Sequence, residues 1–232
     1  MGVLTRTRPV VPAQTPSLTV DAVVFDMDGT LLDTETVYRD AFMAAADLLD
    51  LTVPATVYES LVGIATCERG VILRQRYGRN FPWDDLRAAY YRLRAERLHD
   101  GLRIKPGAGR LLNYFDRLNV RKAIATSASR KTAEAHLQAT ALWHRFDVVV
   151  TRDDVARGKP YPDAFATAAQ RLGVPPRRCL ALEDSEPGIA AAWLAGMLPL
   201  MVTDTIAPNE AVRVRSIGIV SGLDEVRTLL GG

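Results

Sequence analysis

Two aspartates, Asp26 and Asp28, flank a single methionine in the string Asp26-Met27-Asp28-Gly29-Thr30-Leu31-Leu32-Asp33-Thr34-Glu35. Carboxylates this close can divide labour, one attacking an electrophile while the other handles protons. Gly29 permits the sharp exit that the following loop needs. A second cluster, Thr126-Ser127-Ala128-Ser129, sets hydroxyls in front of a helix N-terminus, an arrangement that seats phosphate; ordinary N-capping by Ser129 would also account for it. A third, Gly158-Lys159-Pro160-Tyr161-Pro162-Asp163, carries one of only four lysines among 29 Lys and Arg residues. An ammonium there would neutralise both Asp26 and a phosphate. Such a pair is worth roughly 4 kcal/mol at ~4 Å and an effective dielectric of ~20, before desolvation. The fourth cluster, Glu183-Asp184-Ser185-Glu186-Pro187-Gly188, adds two acids. Together with Asp26 they repel one another unless a cation is present. Oxygen ligands beside a phosphate favour Mg²⁺.

The elements that would position these clusters are short apolar runs: Asp21 to Phe25, Lys122 to Thr126, Phe146 to Val150, Cys179 to Leu182, Leu198 to Val202 and Ile217 to Val220. They are continuous rather than alternating, as expected of strands covered on both faces. Helical patterns lie between them, over Gly107 to Asn119, Arg130 to Thr140, Pro162 to Leu172 and Pro187 to Ala195. Repeated strand–helix units predict an α/β fold with a parallel sheet and helices on both faces. In such a sheet ligands bind at the carboxyl ends of the strands. Three of the clusters follow strands one, two and four directly, and the Lys159 cluster lies a short loop beyond strand three. From about Thr36 to Leu102 only helices are expected: Val37 to Leu51, Val57 to Val62, Cys67 to Tyr77 and Trp83 to His99. The expected division is therefore a tail at 1–18, a core at 19–34 and 103–232, and a helical insert at 35–102.

Composition narrows the function classes. Hydrophobic residues make up 48% and charged residues 24% of 232 residues, as in soluble globular proteins. A net charge of +2 and an aromatic content of 7% argue against a nucleic-acid partner. No apolar run approaches the ~20 residues needed to cross a bilayer, so no membrane is expected. Met1 to Leu18 holds arginines, prolines and threonines without acids, and reads as a frayed tail. Cys67 and Cys179 are too few and too far apart for a disulfide framework or zinc site, which suggests a reducing, cytoplasmic setting. Cys179 is expected in the core. His99, His136 and His144 read as surface or satisfied structural residues, and Trp83, Trp143 and Trp193 as core. Tyr38 falls one helical turn after Thr34 and is a candidate to face substrate.

In order and spacing, DMDGTLLDTE, TSAS, GKPYPD and LEDSEPGIAAAWLAGM resemble the haloacid dehalogenase superfamily, in its phosphatase and sugar-phosphomutase branch. The resemblance runs from about Val20 to Leu230. It implies a Rossmann-like core with a mobile helical cap. Asp26 would be the nucleophile forming an aspartyl phosphate. Asp28 would protonate the leaving alcohol and then activate water. Ser127, or Thr126 if the register is shifted by one, would bind the phosphoryl group, and Lys159 would stabilise it. Asp26, the backbone carbonyl of Asp28, Glu183 and Asp184 would hold Mg²⁺. Gly29, Thr30, Thr34, Tyr38 and Ala128 complete the implied phosphate and substrate contacts. The partner would be a small phosphorylated metabolite, and monomer or homodimer both fit.

Branches of that family differ at readable positions. Dehalogenases lack the second aspartate of the first motif, and Asp28 is present. Phosphonate-cleaving relatives use a cap lysine, and no lysine occurs between Glu35 and Ile104. A β-phosphoglucomutase is the serious rival. It carries a histidine where Tyr38 stands, and an arginine three residues after the glycine matching Gly63, where this chain has Thr66. Arg69 or Arg74 could replace that arginine. A non-catalytic binding module is the remaining alternative; it would be expected to lack the nucleophile or the acid.

Overall fold

A computed structural model describes residues 20–62, 64, 66–204 and 207–230. The expected tail at 1–18 and the reference glycine Gly63 lie outside these residues.

Six strands form one parallel sheet: β1 (Ala22–Phe25), β2 (Arg121–Ala125), β3 (Val148–Val150), β4 (Cys179–Glu183), β5 (Leu198–Val202) and β6 (Gly218–Val220), in the order β3-β2-β1-β4-β5-β6. All six match the apolar runs read from the sequence. β1 and β4 are buried along their whole length, which is why they read as unbroken apolar stretches. Phe25 pairs with Ile124 on one side and Leu182 on the other, so the residues after β1, β2 and β4 emerge side by side.

Two apolar layers cover the sheet. One face packs Phe25, Leu112, Phe115 and Leu137 under α5 (Ala108–Arg117) and α6 (Arg130–Ala139). The other packs Phe165, Leu172, Ala191 and Cys179 under α7 (Asp163–Leu172) and α8 (Glu186–Leu194). Cys179 is fully buried, as expected. Trp83 is buried too, but Trp193 is half exposed on α8, because the sheet-facing side of that helix is filled by Ile189, Ala191 and Ala192.

Between β1 and α5 the chain forms α1 (Thr34–Leu48), α2 (Ala55–Leu61), α3 (Thr66–Tyr77) and α4 (Trp83–Gly101). They enclose their own apolar cluster, with Phe42, Tyr58, Leu73, Leu86 and Tyr90 at its centre. α1 starts and ends three residues earlier than the sequence pattern suggested. Asp50 adopts a left-handed backbone just past its end, which stops the helix there. The two connections to the sheet run side by side. Asp33 N–H donates to the Arg103 carbonyl, and Lys105 N–H to the Leu31 carbonyl, each at 2.9 Å. Two short helices were not expected, α9 (Glu210–Arg215) and α10 (Leu223–Leu229); fewer than two turns give too little periodicity to read. No helix among the described residues is long and apolar enough to cross a membrane.

Candidate active site

Asp26 is the first residue past β1, and its N–H donates to the Leu182 carbonyl of β4 at 2.8 Å. That bond fixes the carboxylate beside the end of β4. The Lys159 ammonium arrives from the loop before α7 and donates to both Asp26 and Glu183. The Lys159 side chain is 7% exposed, and its ammonium nitrogen lies 5.1 Å from the centre of the Phe165 ring, over its face. Glu183 is fully buried, and its other oxygen accepts from the N–H and the hydroxyl of Ser185, each at 2.8 Å. Ser185 Oγ then accepts from Gly188 N–H at 3.1 Å, capping α8. Every oxygen of Glu183 is therefore in use, and a Cβ at Gly188 would run into its carboxylate.

Asp184 is held from the other side. Thr30, itself fully buried, donates its hydroxyl to Asp184 Oδ1 at 3.1 Å. Gly29 adopts a left-handed backbone with φ of 86°, and a Cβ there would strike Asp184 Oδ2. Glycine at this position thus serves both the turn and the close approach of the acid.

Three carboxylates, Asp26, Glu183 and Asp184, gather near one ammonium, and if all were ionised they would outweigh it by two charges. Burial pushes the Asp26 carboxyl up to about 7; Lys159 opposes this and Glu183 adds to it. Asp184 is held well above the usual carboxylate range by burial, and then by the charges of Glu183 and Asp26. Burial works against the charge of Lys159, but Asp26 and Glu183 more than offset it, so its pKa lies above the ordinary lysine value. Among the described residues no three His, Cys, Asp or Glu side chains form a ready enclosure for an ion. Lys159 lies between Asp26 and Glu183 and donates to both. Of the metal ligands the resemblance implies (Asp26, the Asp28 carbonyl, Glu183 and Asp184), Glu183 has both oxygens taken by Lys159 and Ser185, which leaves Asp26, Asp184 and the Asp28 carbonyl as the donors that could meet a hard cation. All are oxygen, and a divalent ion would cancel the excess charge.

The loop after β2 separates the two hydroxyls offered as phosphate ligands. Thr126 is buried, and its Oγ accepts from Ala128 N–H at 3.0 Å. Ser127 is exposed at the strand end, ahead of α6. Ser129 caps α6 by accepting from Thr132 N–H at 3.2 Å. Ser127 is thus the hydroxyl turned outward.

Asp28 lies under the helical insert. Its Oδ1 is 3.7 Å from His136 Nδ1 of α6. His136 is buried, contrary to its expected surface or satisfied place, and its Nδ1 has no hydrogen-bond partner among the described residues. Above Asp28, the Arg94 guanidinium of α4 stacks on Tyr38 of α1 at 3.8 Å from the ring centre. Burial, and next the charge of Asp28, raise the Tyr38 phenol above its ordinary value. Thr34 is fully buried, and its hydroxyl has no hydrogen-bond partner among the described residues. A cavity of about 630 Å³ opens between α4 and α6, lined by Tyr91, Arg94, Lys131 and His136 among others. Sequence reasoning missed Arg94 and His136. His136 left a faint signal, since it falls three residues after Ala133 and one before Leu137 on the buried stripe of α6.

Comparisons with known proteins place the chain in a family. A family model for haloacid dehalogenase-like hydrolases matches residues 20–196. Protein CbbY of Rhodobacter capsulatus is 36% identical over 187 residues, covering 76% of this chain and 82% of that protein. The phosphorylated carbohydrates phosphatase of Thermotoga maritima is 29% identical over 178 residues, covering 77% and 82%. A solved structure of a CbbY variant from Rhodobacter sphaeroides, in complex with xylulose-(1,5)bisphosphate, superposes with a TM-score of 0.66 at 28% identity, covering 89% and 96%.

Proposed function

The chain belongs to the haloacid dehalogenase-like hydrolases and is a phosphoric monoester hydrolase, and we propose that it cleaves small phosphate esters, sugar phosphates foremost, through a phosphoaspartate on Asp26 with Mg²⁺ as cofactor. The observation that carries this reading is the Lys159 ammonium clamped between Asp26 and Glu183 at the end of β1 and β4. It fixes one oxygen of Asp26 and leaves the carboxylate to attack from the other. Asp26, Asp184 and the Asp28 carbonyl would hold the metal, which when bound supplies charge neutralisation to the phosphoryl oxygens. Glu183 serves to hold Lys159 and the start of α8.

Phosphorus is attacked by Asp26 while Ser127 and Lys159 hold phosphoryl oxygens. Asp28 gives its proton to the leaving ester oxygen as the P–O bond breaks. In the second half Asp28 takes a proton from water as that water attacks phosphorus, freeing Asp26 and inorganic phosphate. Helices α1–α4 act as a cap that excludes bulk water and reads the leaving group. The α4–α6 cavity would receive that group. Its lining of Arg94, Lys131 and Tyr91 suits a polyol, and more so one bearing a further anionic group. The bisphosphate held by the CbbY variant fits that preference.

Phosphate release from a panel of sugar mono- and bisphosphates, phosphoglycolate and nucleotides, with and without Mg²⁺, tests the reading. Metal-dependent release that vanishes in Asp26→Asn is expected. Interconversion of hexose 1- and 6-phosphates without net release would instead make the chain a mutase, and no turnover with any ester would leave a binding module.

A further inference from the structure

His136 and Asp28 each present a buried polar atom to the other. His136 Nδ1 and Asp28 Oδ1 are 3.7 Å apart, and neither has a hydrogen-bond partner among the described residues. A buried donor or acceptor left unmade costs about 1–3 kcal/mol. Two such atoms facing each other are best explained by a bond completed in the working state, since catalytic hydrogen bonds are commonly long before substrate binds. A shift of less than about 1 Å would bring this pair to an ordinary N–H···O distance. The backbone of α6 that carries the ring is anchored, because Ala133 and Leu137 on the same stripe are fully buried in the core. Its open side faces the α4–α6 cavity, beside Arg94 and Lys131.

We propose that His136 is the positioning residue for Asp28, donating from Nδ1–H to Asp28 Oδ1 so that Oδ2 faces the reacting oxygen. This role rests on the assignment of Asp28 as the acid and base. Protons then move only at Oδ2. One passes to the ester oxygen as the bond to phosphorus breaks and Asp26 is phosphorylated. One returns from water as the P–O bond to Asp26 is hydrolysed. The Nδ1 proton stays on the imidazole throughout, so neutral histidine suffices and no change of its charge is involved.

The test compares His136→Asn, His136→Gln and His136→Leu in the full chain with Mg²⁺. An Asn amide places a donor near the position of Nδ1, and Gln near Nε2. p-Nitrophenyl phosphate needs no proton on its leaving group, so the burst of p-nitrophenolate reports transfer to Asp26 and serves as an internal control for folding. Its steady state reports hydrolysis of the phosphoaspartate. A sugar phosphate needs Asp28 in both halves. In His136→Leu the burst rate is expected to stay within about twofold, while kcat for both substrates falls about 10–100-fold and KM does not rise; for p-nitrophenyl phosphate KM falls along with kcat, because only the second step is slowed. His136→Asn should recover most of that loss and His136→Gln should not. Should the Leu variant fail to fold, the Asn and Gln pair carries the comparison. Equal kcat in all three variants and the parent would overturn the role. So would an equal fall in the burst, or a rise in KM alone, which marks a substrate contact. Asp28→Asn separates the two assignments: if it still turns over sugar phosphate, the acid–base assignment falls as well, and if only it loses turnover, His136 alone is excluded.

Discussion

Asp26 and Asp28 leave the same strand end, yet the two sides of the site are built differently. Around Asp26 the buried groups are paired: Lys159 with Asp26 and Glu183, Glu183 with Ser185, Ser185 with Gly188, Thr30 with Asp184. On the Asp28 side, where the helical insert joins the core, three buried atoms have no partner among the described residues: Asp28 Oδ1, His136 Nδ1 beside it, and Thr34 Oγ at the start of α1. The first side rests on strand ends and on the capped start of α8. The second lies where the helical insert meets the core. A nucleophile benefits from being fixed before substrate arrives, because orientation set in advance lowers the barrier. An acid that must become a base has to exchange hydrogen bonds in each half of the reaction. On the function proposed above, rigidity is placed on the attacking group, and the proton-handling group is left to be completed in the working state.

The largest effect is expected where the paired side is broken at its centre. Asp26→Asn should lower phosphate release by at least about 1000-fold in steady-state assays, with folding intact. Lys159→Met would leave Asp26 and Glu183 facing each other without their cation. Removing one partner of a buried ion pair costs about 3–5 kcal/mol, which urea unfolding would read.

A smaller effect is expected at Asp154, which supports the loop leading to Lys159. It accepts from Thr151 N–H and hydroxyl at 2.8 and 2.7 Å and pairs with Arg130 and Arg171. Burial opposes its charge, but the Thr151 and arginine contacts prevail and hold its carboxyl at about 2. A carboxylate with a lowered folded pKa stabilises fully above its free value, and that contribution is lost as pH falls through about 2. Asp154→Asn should therefore cost about 2 kcal/mol at neutral pH. The gap between parent and variant should close between about pH 4 and pH 2 in acid-unfolding curves. Thr34→Val gives the smallest change and sharpens the contrast. The hydroxyl it removes has no partner, so stability should stay within about 0.5 kcal/mol or rise slightly. A loss of several kcal/mol would show that the Asp28 side is as tightly paired as the Asp26 side.

Much of this layout is legible in the sequence, for physical reasons. The six strands read clearly because a sheet covered on both faces demands continuous apolar runs. Asp26, Asp28, Ser127, Glu183 and Asp184 stood out as candidates because ligands gather at the carboxyl ends of parallel strands, and Lys159 because it follows strand three by a short loop; the structure brings Asp26, Lys159 and Glu183 into contact. Individual roles were harder to see. Glu183 reads as a free acid in sequence, and only the structure reveals that Lys159 and Ser185 use both its oxygens. Thr126 and Ser127 are neighbours in a string of hydroxyls, and only burial distinguishes them. His136 and Arg94 lie on helices far from any motif. Their relation to Asp28 comes from how α4 and α6 meet, which no local pattern encodes. α9 and α10 escaped because six or seven residues carry too little periodicity.

The central claim is that Asp26 takes the phosphoryl group. Acid-quenched Asp28→Asn incubated with p-nitrophenyl phosphate and Mg²⁺ should accumulate the covalent species, since hydrolysis of the phosphoaspartate is slowed. Peptide mass spectrometry should then find one phosphoryl group on the peptide containing Asp26, localised to that residue, and none in the Asp26→Asn, Asp28→Asn double variant. A phosphoryl group on Ser127 or any other residue, or p-nitrophenolate release with no covalent species formed, would contradict the account.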